Sequence, residues 1–170
     1  MANGETDRLF EILNAYSVPP SMLESGLPGF SVASRNELAA RVARQAAGPP
    51  ASWLLARLQF IRTDENRPDL ESAYLANLGA ADPEARKFSL YGLQKLDHPA
   101  LRDHALAALA DPDDRVVSAA CTILLPGASA DASIAEALRR AYATHREDAE
   151  FHMTRALLAA HGMDRKPEGA

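Results

Sequence analysis

The phrase Asp-Pro-Glu-Ala-Arg at residues 82–86 returns as Asp-Pro-Asp-Asp-Arg at residues 111–115, 29 residues later. A run rich in leucine and alanine precedes each copy, and a second run follows each copy, over residues 88–96 and 117–124. Apolar residues in these runs recur at helical spacing, so each unit reads as helix, tight turn and helix. A fixed period of this size is typical of stacked helical repeats.

The composition predicts an all-α protein. Of the 170 residues, 47% are apolar and only 6% are aromatic, so alanine and leucine must build most of the core. Strand formers are scarce, whereas alanine, leucine, arginine and glutamate are strong helix formers. We expect about seven to nine helices in the whole chain.

Charge and hydropathy restrict the expected partners. The net charge of -5 is spread along the chain, which argues against binding to a nucleic-acid backbone. The first residues lack the basic and apolar regions of a secretory signal, and no apolar run is long enough to span a bilayer. We therefore expect a cytoplasmic protein whose partner is neither a nucleic acid nor a membrane.

Helices are also predicted ahead of the repeat, over residues 5–16, 34–47 and 51–62. A loop over residues 17–33, rich in proline and glycine, joins the first two. The helix at 51–62 is apolar on more than one face, so it either lies centrally or presents part of its surface to a partner. This organisation predicts three parts: an N-terminal helical cap (1–69), the repeats (70–162) and a flexible tail (163–170).

Four helix starts carry capping signals. Asp82 and Asp111 are each followed by proline, the residue favoured at the first helical position, so both are predicted N-caps. Ser34 with Glu37, and Ser133 with Glu136, have the spacing of a capping box.

The Asp-Pro-x-x-Arg phrase between two such helices resembles the HEAT repeat, most closely the short bacterial type known as phycobilin-lyase-like. The resemblance covers about residues 70–124 and weakens over 131–161, where Ala149 stands in place of the proline. Residues 1–69 do not match, although helices 34–47 and 51–62 could form a degenerate first repeat. The resemblance implies an α-solenoid of antiparallel helix pairs.

In the HEAT family the turn aspartates and arginines form a ladder of charge-assisted hydrogen bonds along the stack. Here the resemblance assigns that role to Asp82, Arg86, Asp111 and Arg115. These residues are therefore expected to be structural, and we predict that Arg115→Ala destabilises the array without removing an activity.

No pattern in the sequence predicts catalysis, a metal or a cofactor. The five histidines lack the i, i+4 spacing of a helical zinc pair, and no serine lies in a nucleophile-elbow motif. Cys121, the one cysteine, lies in an apolar run, which favours a buried core residue over a reactive thiol. We expect a non-enzymatic protein.

The resemblance places the second helix of each unit on the concave face. The outward positions of the first such helix are Lys87, Tyr91, Gln94 and Lys95. A tyrosine flanked by lysines is a common protein-contact surface, so we predict that these residues bind a segment of another protein. An ordinary solvated helix face is the simpler interpretation of the same spacing.

Two other functions stay open through the resemblance alone. Some HEAT-type proteins are lyases that attach or detach bilin chromophores, and this is the alternative function. A DNA-lesion reader of the HEAT-like glycosylase type would need a basic channel, which the net charge of -5 disfavours.

Overall fold

The structure is a computed structural model that describes residues 2–15, 21, 23, 27–44, 52–145 and 151–164. Within these ranges the chain forms nine α-helices and no strand, which confirms the all-α prediction. None of these helices is both long enough and apolar enough to cross a bilayer. The chain divides into two compact units, Met1–His98 and Pro99–Ala170.

Of these nine described helices, five lie in the first unit and four in the second. In chain order they are α1 (Ala2–Asn14), α2 (Val32–Arg44), α3 (Ser52–Arg57), α4 (Arg67–Asn77), α5 (Pro83–Lys95), α6 (Leu101–Ala108), α7 (Asp114–Leu124), α8 (Ala132–Thr144) and α9 (His152–Ala160). Three 3₁₀ turns lie between helices, at Leu27–Gly29, Leu58–Ile61 and Leu125–Gly127.

The predicted division after residue 69 and the observed division after His98 differ, because α4 packs against both α2 and α5 in the first unit. One copy of the repeated phrase therefore falls in each unit. The helix predicted at 51–62 is present as α3 and continues as the 3₁₀ turn Leu58–Ile61. Residues 45–47, predicted to end the preceding helix, lie outside the described residues.

The first unit is held by leucine layers between its helices. α1 packs on α2 and α3, α2 packs on α4, and α5 packs on α3 and α4. Leucines at helical spacing supply the buried contacts, as Leu9 and Leu13 do on α1 and Leu90 and Leu93 do on α5. Such a one-sided apolar stripe is what holds a short helix in place in water.

The capping box predicted at Ser34 and Glu37 is wrong. α2 already begins at Val32, so Ser34 lies inside it, and its hydroxyl donates to the Glu5 carboxylate at 2.5 Å. Ser31 donates to the same carboxylate through its hydroxyl at 2.6 Å and its amide at 3.0 Å. These three hydrogen bonds tie α1 to the start of α2 and lower the pKa of Glu5 from 4.5 to about 2.

The caps beside the repeated phrase differ between the two copies. Asp82 caps α5 as predicted, since its carboxylate accepts the amide of Glu84 at 3.0 Å. The prediction for Asp111 is wrong: α7 begins at Asp114, and its cap is Asp113, which accepts the amide of Arg115 at 3.0 Å. The second phrase has an aspartate two residues after Asp111, and that carboxylate is the one adjacent to the helix.

The cap of α8 is also displaced from the predicted residue. Asp131, not Ser133, caps the helix, and its carboxylate accepts the amide of Ser133 at 2.8 Å. Arg102 pairs with the same carboxylate at 2.7 Å. The Ser133 hydroxyl donates to it at 2.6 Å. This hydroxyl first, and then Arg102 and the Ser133 amide, hold the pKa of Asp131 well below its usual value.

The second unit encloses its own core. α7 packs against α6, α8 and α9, and α8 packs against α9. Phe151 and Leu158 are fully buried there together with Cys121, whose predicted burial is confirmed. Met163, placed by sequence in the tail, belongs to this core, whereas residues 165–170 lie outside the described residues.

Candidate functional site

A cleft of about 380 Å³ opens in the first unit beside α5. Its walls come from α3, the 3₁₀ turn after it, α4 and α5. The lining residues are Leu55, Ala56, Arg57, Gln59, Phe60, Tyr74, Phe88, Tyr91, Gly92 and Lys95.

The face of α5 that lines the cleft follows the helical period. Phe88 lies three and four residues before Tyr91 and Gly92, and Lys95 lies four and three residues after them, so all four positions lie on one stripe of the helix. Phe60 faces the cleft from the 3₁₀ turn, and it is partly exposed, as are Phe88 and Tyr91. Three aromatic side chains therefore offer apolar surface that the unit itself does not cover.

Tyr74 and Gly92 form a tightly packed boundary of the cleft. The Tyr74 ring is buried, and its hydroxyl donates to the carbonyl of Leu55 at 3.2 Å. A Cβ built on Gly92 would lie 2.2 Å from the ring atoms Cε1 and Cζ. Only a residue without a side chain allows α5 to approach the ring this closely.

The Tyr74 hydroxyl is not suited to acid–base chemistry. Burial raises its pKa well above the usual value, because the charged phenolate would be desolvated. The hydroxyl therefore keeps its proton at neutral pH and serves as a hydrogen-bond donor to Leu55. Its contribution to the cleft is rigid packing.

Of the two cations in the lining, Arg57 is engaged with the protein backbone. Its guanidinium donates to the carbonyls of Leu13 and Ala15, at 3.0 and 2.7 Å, and lies over the Trp53 ring at 5.2 Å. It thereby satisfies carbonyls at the C-terminal end of α1. Lys95 is exposed, and its ammonium makes no hydrogen bond or ion pair with the described residues.

The structure separates the four residues predicted to bind a protein. Tyr91 and Lys95 line the cleft, whereas Gln94 is half-buried outside the lining. Lys87 pairs with Glu84 at 2.6 Å and lies 4.6 Å from the centre of the Phe88 ring, so its charge is compensated locally.

Phe60 and Phe88 were missed as members of the site. A phenylalanine in an apolar helical run usually faces the core, whereas Phe88 lies partly exposed in the cleft. Phe60 carried a usable signal, since the segment 51–62 was too apolar for a helix with a single buried face.

The predicted ladder residues bond within their own turns. Arg86 donates to the carbonyls of Ala80 and Ala81, at 2.8 and 3.1 Å. Arg115 makes a bidentate pair with the Asp113 carboxylate, at 3.0 and 2.8 Å. These bonds stiffen the turns before α5 and α7, and a ladder that connects successive repeats stays a prediction.

Groups that could perform chemistry lie apart in the described residues. His145 donates through Nδ1 to Asp114 at 2.8 Å, but its ring packs on Phe151 in the second unit. Burial raises the pKa of the Cys121 thiol to about 12, which leaves no thiolate at neutral pH. Within the described ranges no three histidine, cysteine, aspartate or glutamate side chains are grouped to hold a metal.

Comparisons with protein-family models, with curated proteins and with solved structures found no match. The HEAT resemblance therefore continues to rest on the repeated phrase and its flanking helices alone.

Proposed function

We propose that the protein is a non-enzymatic binding module whose cleft beside α5 receives a short segment of another protein. The observation that carries this proposal is the combination of Phe60, Phe88 and Tyr91, partly exposed in one cleft, with the exposed side chain of Lys95 at the same site. Within this proposal the chain is a cytoplasmic scaffold of the HEAT type.

The lining defines the chemistry of the segment. Aromatic side chains in a preformed pocket favour a bulky apolar residue, and such anchors dominate the affinity of many interfaces. Lys95 favours an acidic residue next to that anchor. The expected segment therefore carries phenylalanine, leucine or tryptophan beside aspartate or glutamate.

A peptide-display selection tests this proposal. Selection on the purified chain should enrich peptides with an acidic residue next to a bulky apolar residue. One selected peptide is then synthesised with a fluorophore, and its affinity is measured by fluorescence anisotropy. Replacing its apolar anchor by serine should abolish binding, because the aromatic pocket then has nothing to bury.

Variants locate the binding site. Tyr91→Ala should weaken the peptide by about tenfold or more, as loss of a hot-spot aromatic does. Gln94→Ala is the matched control, since Gln94 lies on the same helix but outside the cleft lining. Equal affinities for wild type and Tyr91→Ala would refute the proposed site.

The bilin lyase-like alternative can be tested with the same proteins. Adding a free bilin and recording its absorbance spectrum should give no shift if the module binds a protein segment. A shift that disappears in Tyr91→Ala would favour a chromophore-handling function instead.

A further inference from the structure

A second cleft, of about 640 Å³, lies in the second unit and has a different chemical character. Its volume falls within the range of small-molecule pockets. Its lining comes from α7, the 3₁₀ turn Leu125–Gly127, α8 and α9 with the residues after it: Thr122, Leu125, Pro126, Ala128, Ser129, Ala135, Arg139, Leu157, His161 and Met163.

Arg139 brings a cation into this lining. A terminal nitrogen of its guanidinium lies 4.0 Å from Oε2 of Glu136, a loose ion pair beyond hydrogen-bond range. Glu136 itself is not part of the lining. The Arg139 side chain is 30% exposed, and an arginine keeps its charge at any ordinary pH. An anion in the cleft can therefore pair with the guanidinium.

His161 and Thr122 spend their protons on the protein backbone. His161 donates through Nδ1 to the carbonyl of Leu157 at 2.9 Å, and Thr122 donates its hydroxyl proton to the carbonyl of Ser118 at 2.9 Å. With their protons placed in this way, both side chains offer only acceptors to the cleft. The charged donor in the lining is therefore Arg139.

Apart from Ser129, the remainder of the lining is apolar, and no lining residue is a carboxylate. Leu157 is 38% exposed, one of three large hydrophobic side chains that are exposed among the described residues. It lies in the cleft together with Leu125, Pro126 and Met163. In a chain of net charge -5, a cleft with a cation and no acidic lining residue is complementary to an anion.

We propose that this cleft binds a small carboxylic acid with an aliphatic chain. The carboxylate fits the guanidinium of Arg139, because the two planar groups can form paired hydrogen bonds. The aliphatic chain covers Leu157, which removes the exposed apolar surface of that side chain from water. The proposal is independent of the cleft in the first unit, since none of its residues belongs to that unit.

Isothermal titration calorimetry with octanoate tests the proposal. Octanoate should bind at low-millimolar concentration or below, whereas octanol, which lacks the charge, and acetate, which lacks the chain, should not. Affinity should fall from octanoate to hexanoate by up to about fourfold for each CH₂ group removed. Octanol binding as tightly as octanoate, or no heat with octanoate, would overturn the proposal.

Matched variants separate the site from a general charge effect. Arg139→Gln should weaken octanoate by about tenfold or more, because hydrogen bonds between charged groups are lost. Arg140→Gln removes the same charge from an exposed neighbour outside the cleft and should leave the affinity unchanged. Equal losses in the two variants would contradict a specific site.

Leu157→Gln gives a test that does not involve the arginine. This exposed position tolerates a polar side chain. The variant should reduce the difference in binding affinity between octanoate and hexanoate, because it removes part of the apolar surface that the longer chain covers. The last measurement is the binding of a short peptide that contains an aspartate. If the peptide binds through Arg139 and octanoate does not, the cleft serves a protein segment and the carboxylic-acid proposal is wrong.

Discussion

Replacing Gly92 by alanine tests how tightly the boundary of the first cleft is packed. The new Cβ would lie 2.2 Å from Cε1 and Cζ of Tyr74, whereas carbon atoms in contact are normally about 3.5–4.0 Å apart. Tyr74 is only 1% exposed, so packed neighbours surround nearly all of its ring. The ring must shift within the core, and its hydroxyl then moves away from the carbonyl of Leu55.

The structure sets the size of the effect. Overpacking a core costs about 1–3 kcal/mol, and the upper end applies here because the overlap is about 1.5 Å. The lost hydrogen bond adds about 1 kcal/mol, and the better helix propensity of alanine returns about 1 kcal/mol. We therefore expect Gly92→Ala to lower the free energy of unfolding by about 3 kcal/mol.

Urea denaturation followed by circular dichroism measures this change. Gly79→Ala is the matched control, since a Cβ there meets no atom within 4 Å, and its stability should be close to that of wild type. Tyr74→Ala removes the ring, so adding Gly92→Ala to that variant should be neutral or stabilise by up to about 1 kcal/mol. Two results would refute this prediction: a Gly92→Ala variant as stable as wild type, or a loss of stability from Gly92→Ala that is equally large in the Tyr74→Ala background.

Three further predictions concern the rest of the chain. Glu5→Gln should lower the free energy of unfolding, because it removes the charged acceptor of Ser34. The pKa of Glu5 is depressed to about 2, so the stability difference from wild type should be constant above about pH 5 and should shrink as pH falls from 4.5 towards 2. Thermal melts across this pH range measure the difference. Asp113→Ala should lower the free energy of unfolding by about 1 kcal/mol, because it removes the cap of α7. In urea titrations its loss of stability should exceed that of Asp111→Ala, and a larger loss for Asp111→Ala would identify Asp111 as the cap instead. Cys121, buried with a thiol pKa of about 12, should resist a thiol reagent in the native protein and react at once in denaturant; rapid native labelling would contradict its burial.

The sequence was sufficient to predict most of the helices. Helical spacing of leucine and alanine predicted the helices of both units, because burying such a stripe is what stabilises a short helix. Asp82 followed by proline predicted the start of α5 correctly. The burial of Cys121 followed from its apolar neighbours.

The errors came from competition between nearby polar groups. Ser34 and Ser133 each had the spacing of a capping box, but Glu5 bonds the first and Asp131 caps the helix of the second. Asp111 lost its predicted role to Asp113 in the same way. Local spacing shows which side chains can cap a helix, whereas the tertiary structure decides which one does.

The candidate site was only half accessible to sequence reasoning. Tyr91 and Lys95 were predicted from their outward spacing on one helix. Phe60 enters the same cleft from a different element, and no one-dimensional pattern brings it next to α5. Lys87 has the same spacing on the helix as Tyr91 and Lys95, but its ammonium pairs with Glu84, and this interaction depends on side-chain geometry.

The proposed binding cleft for a protein segment is lined mainly by residues in 55–60 and 88–95. Two-dimensional NMR of the isotope-labelled chain, titrated with the selected peptide, tests this most directly. We predict that the largest amide shift changes fall in these two segments and disappear in Tyr91→Ala. Changes concentrated elsewhere in the chain, or unaltered in Tyr91→Ala, would contradict the claim.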